Sequence, residues 1–317
     1  MAKGMGAASV PVPSADPEAR RRLRVARVRE AGLGYGLVLP VFLFLLTMIA
    51  IPAVAVVWDS LSAPTAHGRG AAVGLDLYAA ILGDPISRHD MVFTLLITAV
   101  TVGLLLPLCY GLDLYLHFAR GPLVAWYRFL CMVPLFVPTI ISAFAYITFF
   151  ENQGVLDSLL RASGIEGALN LTYTEPINDP AGVGIVLGEI WNSIPVTVLL
   201  IGAGLRDIDG ALIEAAHDVG AGRWAIFWRI VAPLTARQAL IALTLSFIGV
   251  LGSYTIPYLL GPTAPQMLGP LLDTTFAQYR DQPTAAALAV VTFLWAALVG
   301  LAYVIAVSRR SGRAAGR

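Results

Sequence analysis

The chain has 317 residues, 57% of them hydrophobic and 13% charged, with a mean hydropathy of +0.76 and a net charge of +1. A soluble domain carries about 25% charged residues, so the composition excludes an ordinary soluble enzyme and places the chain among polytopic membrane proteins. So small a net charge gives no basis for a nucleic-acid partner; the bilayer is the expected surroundings.

Residues 1–32 form a basic tail with Lys3, Arg20, Arg21, Arg22, Arg24, Arg27 and Arg29. Its first 18 residues are rich in Ala, Gly, Ser and Pro, so the tail is expected to be partly disordered. A long charged stretch, then an apolar run of about 25 residues without a small-residue cleavage pattern, argues against a signal peptide. Apolar runs long enough to span a bilayer, about 20 residues, lie near 33–58, 91–117, 126–150, 183–205, 236–260 and 285–308. Six spans put both termini on one side. Seventeen Lys and Arg residues fall on that side, against four (Arg69, Arg88, Arg161, Arg280) on the other. This positive-inside bias predicts both termini in the cytoplasm. The expected organisation is the tail 1–32, a six-helix membrane domain 33–308 with its longest inner loop at 206–235, and a second basic tail at 309–317.

Between the first two spans, Tyr78, Ile81 and Leu82 at helical spacing predict a short interfacial helix. The loop 151–182 carries Glu151, Asp157, Glu166, Glu175 and Asp179 against Arg161. That acidic surface is either simply solvated or a meeting place for a basic partner. Pro107, Pro134, Pro138, Pro195 and Pro257 punctuate the spans, and bent helices are one way to open a cavity near the midplane. Cys109 and Cys131 sit in or beside spans and read as small apolar side chains. His67, His89, His117 and His217 lack metal-ligand spacing, and no metal site is expected.

The inner loop is the most specific stretch. Asp209 is placed to cap a helix through Ala211, Leu212, Glu214, Ala215 and Ala216. Gly220 suits a left-handed C-terminal cap, and a second short helix through Trp224, Phe227 and Ile230 leads to Pro233 and the fifth span. Glu214-Ala215-Ala216, Gly220 six residues on, Ile230 at sixteen and Pro233 at nineteen resemble the "EAA" loop of permease subunits of type I binding-protein-dependent ABC importers. The resemblance covers roughly residues 33–308, departing at Ala232, where that family usually has Leu. It implies an all-α membrane fold of six transmembrane helices with both termini cytoplasmic, in the bacterial inner membrane, with no catalysis by this chain. It also implies that Glu214, Ala215, Ala216 and Gly220 form a coupling helix docked on a cytoplasmic ATPase, with Ile230 and Pro233 setting its exit. The chain has one lysine and no phosphate-binding loop, so no cofactor is expected in it and ATP and Mg would belong to the partner. The implied partners are two ATPase subunits, a second homologous permease and an extracytoplasmic substrate-binding protein.

Asp218 and Val219 before Gly220, the run Gly252–Pro262, Pro134–Pro138 and Asn152–Asp157 are similar to the spermidine/putrescine, iron and thiamine branch, so the implied solute is a polyamine or similar small cation. A sugar or polyol importer is the alternative, and a pocket of aromatics and amides without an acid would favour it. Candidates for the substrate path are Glu189, Trp191 and Asn192 on the fourth span and Ser253 and Tyr254 on the fifth. An ionisable group within a span is costly and tends to face a cavity or a partner, and a nearby aromatic adds cation–π attraction. Two readings of Glu189 stay open: it lines the path, or it lies near enough to the interface to be hydrated. Asp113 is expected to pair with Arg120 or Arg128. A membrane enzyme would need clustered ionisable groups on one cavity, and a secondary transporter would need inverted repeats with midplane acids; neither pattern is present.

Overall fold

The computed structural model describes residues 36, 38–64, 71–119, 121–163 and 175–315. The tail 1–32, Arg120 and Glu166 lie outside the described residues. Contact density separates Met1–Ala55 from Val56–Arg317, and each is described by itself. In the first, helix α1 (Val38–Leu61, which runs on into the second) carries a π turn at Leu46–Ala50 and exposes its large apolar side chains, among them Phe42, Phe44 and Ile49. Such a surface belongs in lipid or against another helix.

In the second unit, α2 (Asp76–Gly83) is the expected short helix, and the Tyr78 hydroxyl donates to Ser60 Oγ at 2.7 Å. Ser62–Pro64 and Ala71–Val73 pair antiparallel, with Ser62 opposite Val73, a small addition to the all-helical expectation. Helix α3 (Pro85–Phe118) starts on Asp84, whose carboxylate accepts from Ser87 N–H at 2.8 Å and Ser87 Oγ at 2.7 Å. Those bonds hold the Asp84 carboxyl below the usual carboxylate range.

The third span differs from the expected single helix. It divides into α4 (Pro122–Phe136) and α5 (Thr139–Phe150), with the stretch Thr139–Ala162 bent by 110° from α4. Pro138 has no N–H and forces Val137 into extended backbone (φ −95°, ψ 118°), so the helical ladder cannot pass. Helix α6 (Val155–Ala162) follows. Here the acids of 151–182 are largely used internally. Asp157 is fully buried, accepts from Gln153 N–H at 2.8 Å and pairs with Arg161 at 2.8 Å. Glu175 takes the N–H of Asn152, and Asp179 that of Val183.

Helix α7 (Val183–Arg206) is the hub, packing on α3, α4 and the fifth span. Lipid leaves no hydrophobic drive between helices, so close approach by small residues and interhelical hydrogen bonds decides packing. A Cβ on Gly204 would lie 3.0 Å from the Gln238 side chain, and Thr197 and Ser246 hydroxyls meet at 3.2 Å. After α8 (Gly210–Asp218), helix α9 runs unbroken from Arg223 to Leu251. This corrects the expectation of a separate short helix ahead of Pro233. A π turn over Phe227–Val231 precedes Pro233, and that widened turn accommodates the missing proline N–H without ending the helix. The chain breaks at Gly252–Tyr254 before α10 (Thr255–Leu260), so the expected span 236–260 starts earlier and is discontinuous. Helix α11 (Leu268–Asp273) and α12 (Gln282–Ala315) complete the order. Cys109 and Cys131 are free and buried, as read.

Gly184 N–H donates to Pro176 O at 2.9 Å, and a Cβ there would sit 2.5 Å from that oxygen. Gly184→Ala is therefore expected to lower stability by about 1–3 kcal/mol. Gly103, which faces open space within α3, should gain about 0.5–1 kcal/mol on replacement by Ala. Thermal melts of both variants in detergent check the pair.

Candidate functional site

Two groups of side chains carry chemistry, at opposite ends of α7. At the Arg206 end lies α8. Asp209 accepts from Ala211 N–H at 3.0 Å, satisfying a first-turn donor. At the other end Gly220 has φ +82°, Gly220 N–H bonds His217 O at 2.9 Å and Ala221 N–H bonds Ala216 O at 3.0 Å. These two bonds make a Schellman motif, which needs a left-handed residue and therefore favours glycine.

Helix α8 has two faces. Ile213 and Ala216 pack, with Ile208, Phe227 and Ile230, on a buried cluster that includes Leu116, Leu205, Ile226 and Val231. Leu212, Glu214 and Ala215 are exposed, and Val219 is 84% exposed. Of the predicted loop residues, Ala216 and Ile230 thus hold the helix to the spans, while Glu214 and Ala215 face outward. Pro233 is exposed and lies within α9. Trp224, Phe227 and Trp228 form an aromatic cluster at the start of α9, with centroids 5.1–5.9 Å apart. Rings of this kind are favoured at membrane–water interfaces.

Toward the other end of α7, Glu189 is 5% exposed, and Ser253 in the break of the fifth span donates its hydroxyl to Glu189 Oε1. This removes the reading of Glu189 as a hydrated interfacial group: its carboxylate is buried against the break. Asn192, three residues on, shares the same helical face. Trp191 lies about 200° round the helix from Glu189 and so does not stand beside it. Tyr254 points elsewhere too: its hydroxyl donates to Asp273 at 3.2 Å and its ring stacks on Tyr258 at 5.2 Å. The structure therefore unites Glu189 with Ser253 and leaves Trp191 and Tyr254 on neighbouring surfaces.

Asp113 makes no ion pair within 4 Å with Arg128, and Arg120, the other expected partner, lies outside the described residues. Among the described residues Asp113 Oδ2 has no hydrogen-bond partner. It faces a cavity of about 230 Å³ with Arg128, Arg206 and His117. Gly202 makes the room, since a Cβ there would lie 3.0 Å from Asp113 Oδ1. Sequence reasoning missed Asp90, a further acid inside a span and 4% exposed. Its place at the first residues of an apolar run disguised it as the end of a loop.

A helical, multi-pass bundle with a capped amphipathic helix between two spans and a buried acid beside a broken helix defines a transport permease. The chain belongs to the family of binding-protein-dependent transport system inner membrane components, matched over residues 114–312. It is 30% identical to the sulfoquinovosyl glycerol transport system permease protein SmoG of Agrobacterium fabrum, over 73% of this chain and 75% of that one. It is 26% identical to the spermidine/putrescine transport system permease protein PotB of Escherichia coli, over 72% and 81%. It is 30% identical to the trehalose/maltose transport system permease protein MalF of Thermococcus litoralis, over 78% and 84%. Its fold is that of a chain in a bacterial ABC transporter involved in the import of alginate, with a TM-score of 0.74 at 18% identity over 91% of this chain and 99% of the other. The protein is thus a membrane-embedded permease of the ABC importer type and not an enzyme.

Replacing Gly220 by Ala should cost about 1–2 kcal/mol, the penalty of a Cβ in the left-handed region. Gly220→Asn, which tolerates that region, should recover most of it. Amide exchange at Ala221, faster in the first variant than in the second, is the measurement.

Proposed function

We propose that this permease couples ATP hydrolysis in cytoplasmic ATPase subunits to the inward passage of a small cationic solute such as a polyamine. Both termini lie in the cytoplasm, as the basic residues imply. One observation carries the coupling role: α8 is capped at both ends, fastened to the spans by Ile213 and Ala216, and bare on its opposite face at Glu214 and Ala215. Such a helix moves as one body with α7 and α9. Ala215 leaves the outward backbone open to a close-fitting groove, Ala216 lets the helix lie close on the spans, and Glu214 supplies a charge at the rim. Gly220 keeps the turn, and Ile230 and Pro233 set the path into the fifth span. An extracytoplasmic binding protein delivers the solute, and a second, homologous permease completes the path.

Glu189 supports the cationic solute. A carboxylate buried in a span is costly unless its charge is met, and the Ser253 hydroxyl alone offers no positive charge. A protonated amine would supply it, with Asn192, Trp191 and Tyr254 flanking the route. One observation favours a sugar instead: Tyr254 and Tyr258 are stacked and substantially exposed, at 40% and 53%, a surface on which a sugar ring could lie. Two of the relatives above are named for sugar-containing solutes.

The test is ATP hydrolysis by the reconstituted complex with its binding protein, across spermidine, putrescine, thiamine and several sugars. Stimulation by one cation is expected. Glu214→Ala should cut that stimulation by about tenfold or more, equivalent to losing about 1.4 kcal/mol of docking, while the complex still assembles. Glu189→Gln should raise the solute concentration for half-maximal stimulation about tenfold without changing hydrolysis in the absence of solute. Stimulation by a sugar, unaffected by Glu189→Gln, would transfer the path to the tyrosines.

A further inference from the structure

Helix α11 begins with no cap of its own. Its N-cap residue is Met267, which supplies no side-chain oxygen. The end of the loop before it sinks into the protein, Gln266 half-buried and Met267 and Leu268 each 1% exposed, so backbone donors there have little or no water to turn to and need partners inside the protein. Both partners come from α3, more than 170 residues earlier. Asp90 Oδ1 accepts from Gln266 N–H at 2.8 Å, and Thr94 Oγ1 accepts from Leu268 N–H at 2.9 Å. Asp90 and Thr94 are four residues apart and share one helical face. Thr94 gives its own hydroxyl hydrogen to Asp90 O at 2.8 Å, which aims its lone pairs at the loop. Both side chains are buried, at 4% and 0% exposed.

The fastened segment reaches Glu189. The Gly269 backbone lies so close to the Ser253 carbonyl that no Cβ fits between them, and the Ser253 hydroxyl is bonded to Glu189. On its far side, α10 packs on α7, where Gly188 faces Ile256 and Leu260. A continuous path therefore runs from α3 through α11 and the break of the fifth span to the buried acid on α7. Packing alone would be met by apolar residues at 90 and 94. A carboxylate inside a span is an expensive way to hold a loop, but a hydrogen-bonded clamp can open and reclose as a unit, which a packed core resists.

We propose that Asp90 and Thr94 are positioning residues that hold the segment 252–268 closed over Glu189, and that the clamp releases when the permease opens toward the extracytoplasmic side. The sidedness and the coupled cycle rest on the function proposed above; the clamp itself rests on the two hydrogen bonds.

The assembled importer in lipid nanodiscs tests it, with Asp90→Ala, Thr94→Val, Asp90→Asn and Thr94→Ser compared with wild type. Asn keeps an acceptor for Gln266 N–H, and Ser keeps one for Leu268 N–H. Amide exchange at Gln266 and Leu268 should accelerate about tenfold or more in the Ala and Val variants and stay near wild type in the Asn and Ser variants. Hydrolysis without solute or binding protein should rise in the first pair by several-fold and not in the second, because an unlatched segment lets the cycle turn without its signal. Unchanged exchange would overturn the clamp. Faster exchange with unchanged solute-independent hydrolysis, at normal assembly, would reduce the two residues to structural fasteners and sink the gating role. If Asp90→Ala fails to assemble, Thr94→Val, nearly the same shape as the native residue, decides the matter. A wild-type complex that no solute stimulates would fail the importer reading, and the exchange arm would still judge the clamp.

Discussion

A backbone in hydrocarbon must satisfy its polar groups within the protein, and the rest of this architecture follows from that constraint. Unbroken helices meet it by themselves. The breaks do not, and their backbone groups need partners from elsewhere in the protein. The segment 252–268 is the clearest case, since α3 provides acceptors for Gln266 and Leu268 and the Leu260 carbonyl takes the N–H of Asn178. Irregular backbone at this depth is tolerated only where protein covers it or a cavity adjoins it, and that is also where transporters place their binding groups.

The same constraint explains why α7 is the hub. Helices in lipid are drawn together by close packing and a few polar contacts rather than by exclusion from water. Glycines at 184, 188, 202 and 204 let neighbouring side chains or backbone occupy the space a Cβ would take on α7. The helix carries the buried Glu189 toward one end and shares a buried cluster with α8, through Leu205 and Ile213, at the other. On the function proposed above, α7 would link the solute path to the ATPase-facing helix.

The two sites differ in how they are held. Helix α8 is secured by local capping: Asp209 at one end, Gly220 at the other. Glu189 depends on distant partners, since Ser253 lies 64 residues away and is itself held by Gly269 and, through the next residue, by Thr94. Local capping suits a helix that moves as a body. Long-range fastening suits a region that must be assembled and released. Between them Asp113, which makes no ion pair among the described residues, shares a cavity with Arg128 and Arg206.

What the sequence determined by itself was whatever depends on neighbours a few residues apart. Apolar runs marked the membrane spans, the Asp209 and Gly220 caps bounded α8, and the spacing from Glu214 to Pro233 pointed to the permease family. Tertiary structure decided what depends on residues far apart in the chain. It broke the third span at Val137–Pro138, ran the fifth through Pro233 on a π turn, and broke it again after Leu251. It brought Glu189 to Ser253 while turning Trp191 and Tyr254 away, and it set Asp113 on a cavity with Arg128 and Arg206 rather than in an ion pair with Arg128. Asp90 stayed hidden because its partner is a backbone amide, a group every residue but proline carries and that leaves no mark in the letters. Local capping and hydropathy are short-range and legible; the satisfaction of buried polar groups across helices is settled only by packing.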